Sequence, residues 1–166
     1  MPTSWAKKAP IVSGMQRIDL KHAETIRAVR ALCKRKKLRP PSDIILDSAF
    51  HYGKYRNKKL VSVLSLSVMN LNKTPGSVAI CIDIAASSDP NHSMTIALDS
   101  LKKMMRKRRN TCVLFAQVAN TESARKFWEG KLTKTKRASV MPVLFAMFDE
   151  RYQIYEDTSD MALFYE

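Results

Sequence analysis

Cysteine is scarce and carries no pattern. The three cysteines, Cys33, Cys81 and Cys112, are odd in number and none forms a C-x-x-C pair. This argues against a disulfide framework and a zinc site, and it fits a reducing intracellular compartment, nuclear or cytoplasmic. His22, His51 and His92 stand apart from one another, so no metal-ligand spacing exists and no metal is expected. No stretch nears the roughly 18 apolar residues of a membrane-spanning helix, and no membrane partner is expected. There is no internal repeat and no low-complexity segment. The first 18 residues lack acids and carry Lys7, Lys8 and Arg17, but Pro2, Pro10 and Gly14 interrupt any amphipathic presequence there.

Acids are also in deficit. Fifteen Asp and Glu face 29 Lys and Arg, for a net charge of +14. That exceeds what solubility asks of a small domain, about 2–8 charges. The acids concentrate at one end. Asp149–Glu166 holds six acids and one base, a net −5, so the other 148 residues carry +19. Such a field attracts polyanions: nucleic acid, phosphorylated cofactors or acidic protein surfaces. The chain has 166 residues, 45% apolar and 27% charged. This predicts one globular domain over 1–166, with 1–10 flexible.

Periodicity predicts the elements. Ile11–Ile18 reads as a short strand. His22–Lys37 has no proline or glycine, and Ala23, Ile26, Val29 and Cys33 sit at helical spacing among bases. Pro40-Pro41 stops that helix, and Ser42 caps a second short one over Asp43–Phe50. Tyr52–Lys59 reads as a hairpin or loop. Leu60–Leu71 and Val78–Ala86 are β-branched-rich strands around the turn residues 72–76. Met94–Arg108 is an amphipathic helix with Met94, Ala97, Leu98, Leu101 and Met105 on its apolar stripe. Cys112–Ala119 is a buried strand, Thr121–Gly130 a helix, and Val140–Phe148 and Met161–Tyr165 the last strands. The order β-α-α-β-β-α-β-α-β-β implies an α/β fold, a mixed and mostly antiparallel sheet with helices on both faces.

That order resembles the GNAT superfamily of acetyl-CoA-dependent N-acetyltransferases. Lys59-Leu60-Val61-Ser62 resembles the family's K-x-V-G strand. Ile84-Ala85-Ala86 stands where the family has V-x-P, and Asn120–Glu129 resembles N-x-x-x-A-x-x-F-Y-E. The resemblance runs from about Ile11 to Tyr165. It implies acetyl-CoA as cofactor, held by Ile84, Ala85, Ala86, Asn91, His92, Ser93, Met94, Thr95, Asn120, Ala124 and Trp128.

The family's pyrophosphate motif, Q/R-x-x-G-x-G/A, falls on Asp89-Pro90-Asn91-His92-Ser93-Met94. Both glycines are replaced, and an acid stands where the family has a base or amide. The resemblance implies that the amides of Asn91 to Thr95 bind the pyrophosphate, as helix N-termini bind anions, with His92 and Ser93 adding side-chain donors. The same segment reads equally well as a helix cap formed by Asp89 or Asn91. The family's acid tyrosine is Trp128 here, which cannot donate to a thiolate and reads more readily as a core aromatic. Asp83 is the candidate base on the central strand and Tyr155 a substitute acid, with Tyr165 a further possibility.

Two readings stay open. One is an acetyl-CoA-dependent transferase acting on a protein amine, a lysine or an N-terminus, with chromatin as one setting. The other is a catalytically inactive module of the same fold that binds nucleic acid or acidic partners in a nucleoprotein assembly. A small-molecule amine acetyltransferase ranks last, because cationic substrates want an acidic pocket.

Overall fold

The structure is a computed structural model that describes residues 9–43, 46, 49–70, 78–107, 112–119, 121–129, 131–136 and 158–165. The strands are β1 (Gln16–Arg17), β2 (Phe50–Arg56), β3 (Lys59–Asn70), β4 (Val78–Ser87), β5 (Cys112–Ala119), β6 (Thr133–Lys136) and β7 (Thr158–Tyr165). The helices are α1 (Ala23–Arg35), α2 (Ser93–Arg106) and α3 (Glu122–Trp128). The class is α/β, as the periodicity implies. The chain divides into two compact units, one of Pro10–Ser67 with Ile82–Lys103, the other of the remaining residues.

In the first unit β1, β2, β3 and β4 lie side by side in that order, with β1–β2 and β2–β3 antiparallel. Its core holds Ile18 and Leu20 after β1, Val29, Leu32 and Cys33 of α1, Leu60 and Val63 of β3, and Ile84 and Ala86 of β4. Each fully buried aliphatic there contributes about 1.5–3 kcal/mol. Burial pushes the Cys33 thiol up to about 11, so it stays protonated and inert. Cys33 and Cys81 are buried thiols, neither in a disulfide.

Helix α1 exists because Val29, Leu32 and Cys33 fall on one side and vanish from solvent together. Glu24 in its first turn and Lys34 and Arg35 in its last complement the dipole. It ends in a Schellman motif. The Leu38 N–H donates to the Cys33 carbonyl at 2.9 Å and the Lys37 N–H to the Lys34 carbonyl at 3.1 Å. Lys37 takes the left-handed conformation this demands, with φ 56°, where glycine is usual. Leu38 then packs on the core.

Two sequence expectations are corrected in this unit. The first strand is only Gln16–Arg17, because Gly14 turns the chain at φ 79° and the Met15 N–H returns to the Val12 carbonyl. The helix expected to reach Phe50 stops short, since Phe50 opens β2; Asp43 and Leu46 are helical, and residues 44, 45, 47 and 48 lie outside the described residues. Of the hairpin or loop expected over Tyr52–Lys59, the hairpin is what forms. β2 pairs with β3 from Phe50↔Leu66 to Arg56↔Lys59, with a bulge between Lys54 and Tyr55. Asn57 and Lys58, at φ 50° and 64°, make the two-residue turn that a right-twisted hairpin prefers.

In the second unit β7 lies between β5 and β6 and is antiparallel to both. β6 was not expected from the sequence, being short and polar. The strand expected over Val140–Phe148 lies outside the described residues. α3 starts at Thr121, whose hydroxyl accepts from the Ala124 N–H at 3.2 Å. α2 runs to Arg106 rather than Arg108, and its whole expected stripe, Met94, Ala97, Leu98, Leu101 and Met105, is buried.

Candidate functional site

The site lies within the first unit, where β4 hands the chain to α2. Ser88 stays tied to β3, its N–H donating to the Val61 carbonyl at 2.8 Å. The chain then turns through Asp89-Pro90-Asn91 and enters the helix at His92, whose carbonyl accepts from the Ile96 N–H at 3.1 Å. His92 has φ 59°. It stands at the family's first glycine position and keeps a conformation that glycine adopts freely, at a strain of about 1–2 kcal/mol for any other residue. Met94, at the second glycine position, is buried.

Asp89 organises this turn. Its Oδ1 accepts from the Asn91 N–H at 3.0 Å. The Arg56 guanidinium, at the end of β2, lies 3.3 Å from Asp89 Oδ1. The Asn91 side-chain amide, oriented by this network, turns its oxygen to the same guanidinium and accepts from Arg56 Nη1 at 3.2 Å. The Asn91 N–H first, then the Ser93 hydroxyl, hold the Asp89 carboxyl below the usual carboxylate range; burial opposes them, and Arg56 and the Ser93 N–H add to them.

Three serines complete the turn. Ser62 Oγ, fully buried on β3, lies 2.6 Å from Ser87 Oγ and 2.6 Å from Ser93 Oγ. Asp89 N–H donates to Ser87 Oγ at 3.2 Å. Ser62 has one proton for two neighbours, so at least one of Ser87 and Ser93 donates to it.

The amide of Asn91 is therefore directed at Asp89. Those of Met94 and Thr95 lie in the first helical turn, where the helix supplies no acceptor. Of the other candidate residues, Ile84 and Ala86 are buried and Ala85 half-buried on β4. Asp83, half-buried on the opposite face of β4, accepts from the Ser67 hydroxyl. Ala124 and Trp128 belong to the second unit. Trp128 is buried and packs edge-to-face on Phe127 at 5.0 Å, the contact of a core aromatic. Asn120 and Tyr155 lie outside the described residues. Arg56 and Ser62 are the site residues the sequence did not point to. Ser62 occupied the glycine of the K-x-V-G strand, which was a signal available in the sequence.

No helix among the described residues is long and apolar enough to cross a membrane. Among the described residues no group of His, Cys, Asp and Glu gathers as a metal site. His51 is buried on β2, its ring nitrogens 2.7 Å from Ser65 Oγ and 3.4 Å from the Leu46 carbonyl, which is a structural pairing.

Known structures decide the fold. Naa50 of Arabidopsis thaliana, in complex with the bisubstrate analogue CoA-Ac-MVNAL, matches over 92% of this chain and 98% of its own, with TM-score 0.53 and 14% identity. This chain has a GNAT fold. A GNAT-family acetyltransferase, described as putative, from Desulfovibrio desulfuricans matches 92% of this chain and 96% of its own at TM-score 0.52 and 13% identity. An N-acetyltransferase of Staphylococcus aureus Mu50 matches 91% of this chain and 94% of its own at TM-score 0.52 and 11% identity. No family model and no curated protein matches the sequence.

Proposed function

We propose that the protein is an acetyl-CoA-dependent N-acetyltransferase acting on a protein amine. The observation that carries this reading is the φ of 59° at His92. A helix cap alone has no need of a strained left-handed residue at that position, whereas a phosphate loop needs the chain to turn there so that first-turn amides face outward. The amides of Met94 and Thr95 would take the diphosphate. Arg56 supplies the cation that the family carries at the position of Asp89, so the acid is neutralised rather than opposed to the ligand. A peptide acceptor is supported by the complex of the GNAT-fold Naa50 with CoA-Ac-MVNAL.

Bound acetyl-CoA supplies an activated acyl group. The chain's own part is to hold the acceptor amine and to take its proton as the new C–N bond forms and the C–S bond breaks. Asp83 is the proton acceptor we assign on β4, with Ser67 orienting its carboxylate. Tyr155 is the donor we assign to the departing thiolate.

Calorimetric titration with acetyl-CoA tests the reading, followed by mass spectrometry of a peptide mixture incubated with protein and cofactor. Saturable heat, competed by CoA, and a mass gain of one acetyl group per peptide are expected. Absence of heat at millimolar acetyl-CoA ends it.

One observation favours a second reading. The Asp89 carboxylate already accepts from the amide of Asn91 and so takes up one of the donors an anion would use. On that reading the fold persists as an inactive module, and the same titration is silent.

A further inference from the structure

The Asp89 turn leaves the basic excess unexplained, and part of that excess is gathered on α1. Arg27, Arg30, Lys34 and Arg35 are all exposed, while Val29, Leu32 and Cys33 face the core. At about 100° per residue, Arg27, Ala31 and Lys34 lie on the outward line, with Arg30 and Arg35 to either side, over an arc of roughly 140°. Lys36 and Lys37 extend the row past the helix end, where the Schellman turn exposes both. From Arg27 to Lys37 the row is about 15 Å long. The only acid of the helix is Glu24, in its first turn. Among the described residues no carboxylate pairs with Arg27, Arg30, Lys34 or Arg35.

We infer that this outward face of α1 binds the phosphate backbone of duplex DNA. Three properties favour that partner. The face carries no aromatic or large apolar side chain. An acidic protein partner would need such anchors for its interface core, and a single strand would need stacking platforms. Phosphate contact needs neither. The row's length spans about four phosphates of one strand at roughly 3.4 Å each. Ala31 at its centre is small and exposed, so the helix backbone can approach closely. A helix about 10–12 Å across suits the B-form major groove, about 12 Å wide. The A-form major groove of RNA is too narrow to admit it. Binding is sequence-blind, because only phosphate-reading groups are present. It goes beyond the transferase reading and does not depend on it.

Fluorescence anisotropy with a DNA duplex of about 20 base pairs, across roughly 50–300 mM salt, tests the inference. Three variants are compared with the unaltered chain. Arg27→Gln with Arg30→Gln and Lys34→Gln removes three charges from the face. Lys59→Gln with Lys103→Gln and Lys107→Gln removes three exposed charges elsewhere. Arg27→Lys with Arg30→Lys keeps the charge on the face. Circular dichroism and melting confirm that each is folded, as exposed helix positions allow.

The α1 triple variant is expected to lose at least ~10-fold in affinity near 0.1 M salt, and its slope of log K against log salt to fall by about 2–3. The distant triple variant is expected to change the slope by less than about one, and the Lys pair to bind as the unaltered chain. Equal losses in the two triple variants would reduce the effect to net charge and overturn the inference. So would a duplex RNA or polyglutamate that binds at least as tightly as the DNA, or no duplex binding at the lowest salt.

Discussion

The Arg56 guanidinium at the end of β2 and the Asp89 carboxylate at the foot of α2 lie 3.3 Å apart. The side chain of Asp89 is 1% exposed, so its charge is matched by this ion pair and by the Asn91 N–H rather than by water. A buried acid at a helix entrance becomes tolerable because its partner arrives from a neighbouring hairpin.

The pairing gives stability a defined pH dependence. Asp89 titrates lower in the folded protein than in the unfolded chain, where a carboxyl loses its proton near 3.9. Its contribution is complete above about pH 5 and is lost as pH falls through 4 and below. Urea melts of the unaltered chain should weaken over that window. Asp89→Asn should be less stable at pH 7, by about 1–3 kcal/mol, and its stability should vary less with pH across the same window.

His92→Gly should relieve the left-handed strain at the head of α2. Glycine also costs entropy in the unfolded chain, about 0.5–1 kcal/mol. The net gain is about 0.5–1 kcal/mol, a rise in Tm of about 2 °C for a chain this size. If the loop takes a diphosphate, the same substitution should tighten acetyl-CoA by calorimetry, since no Cβ then stands beside the amides.

Lys37→Gly should likewise stabilise, because Lys37 is the left-handed residue of a Schellman motif at φ 56°. A gain of about 0.5–1 kcal/mol in chemical denaturation is expected. A loss would mean that the Lys37 side chain holds the helix end more firmly than its backbone strains it.

Gly53→Ala should destabilise. A Cβ there would stand 2.9 Å from Leu60 Cδ1 and 3.0 Å from Ile18 Cγ2, inside the packed core. Both neighbours are buried and hemmed in, so a cost of about 1–3 kcal/mol is expected, read as a lower urea midpoint with unchanged slope.

Much of the fold could be read from periodicity, where side-chain burial alone decides the element. The stripe Met94, Ala97, Leu98, Leu101 and Met105 defines α2, and Val78–Ser87 declares itself by its run of apolar residues. What could not be read depends on partners. Phe50–Arg56 holds a glycine, a histidine and two bases, and is a strand because β3 lies beside it in register. Thr133–Lys136 is polar throughout and is a strand because β7 pairs with it. In the site, the misfit of Asp89 with the family pattern was visible at once. Its resolution by Arg56 was not, because a salt bridge between a hairpin and a helix cap leaves no trace in local spacing. Ser62 was marked by standing at the glycine of the K-x-V-G strand, but the role of its hydroxyl shows only when Ser87 and Ser93 are seen to converge on it.

Ser62 Oγ stands 2.6 Å from both Ser87 Oγ and Ser93 Oγ, so one buried oxygen rivets the last residue of β4 and the first residue of α2 to the strand beneath them. A glycine there would remove the rivet from both at once, and the hinge between strand and helix would then rest on backbone bonds alone.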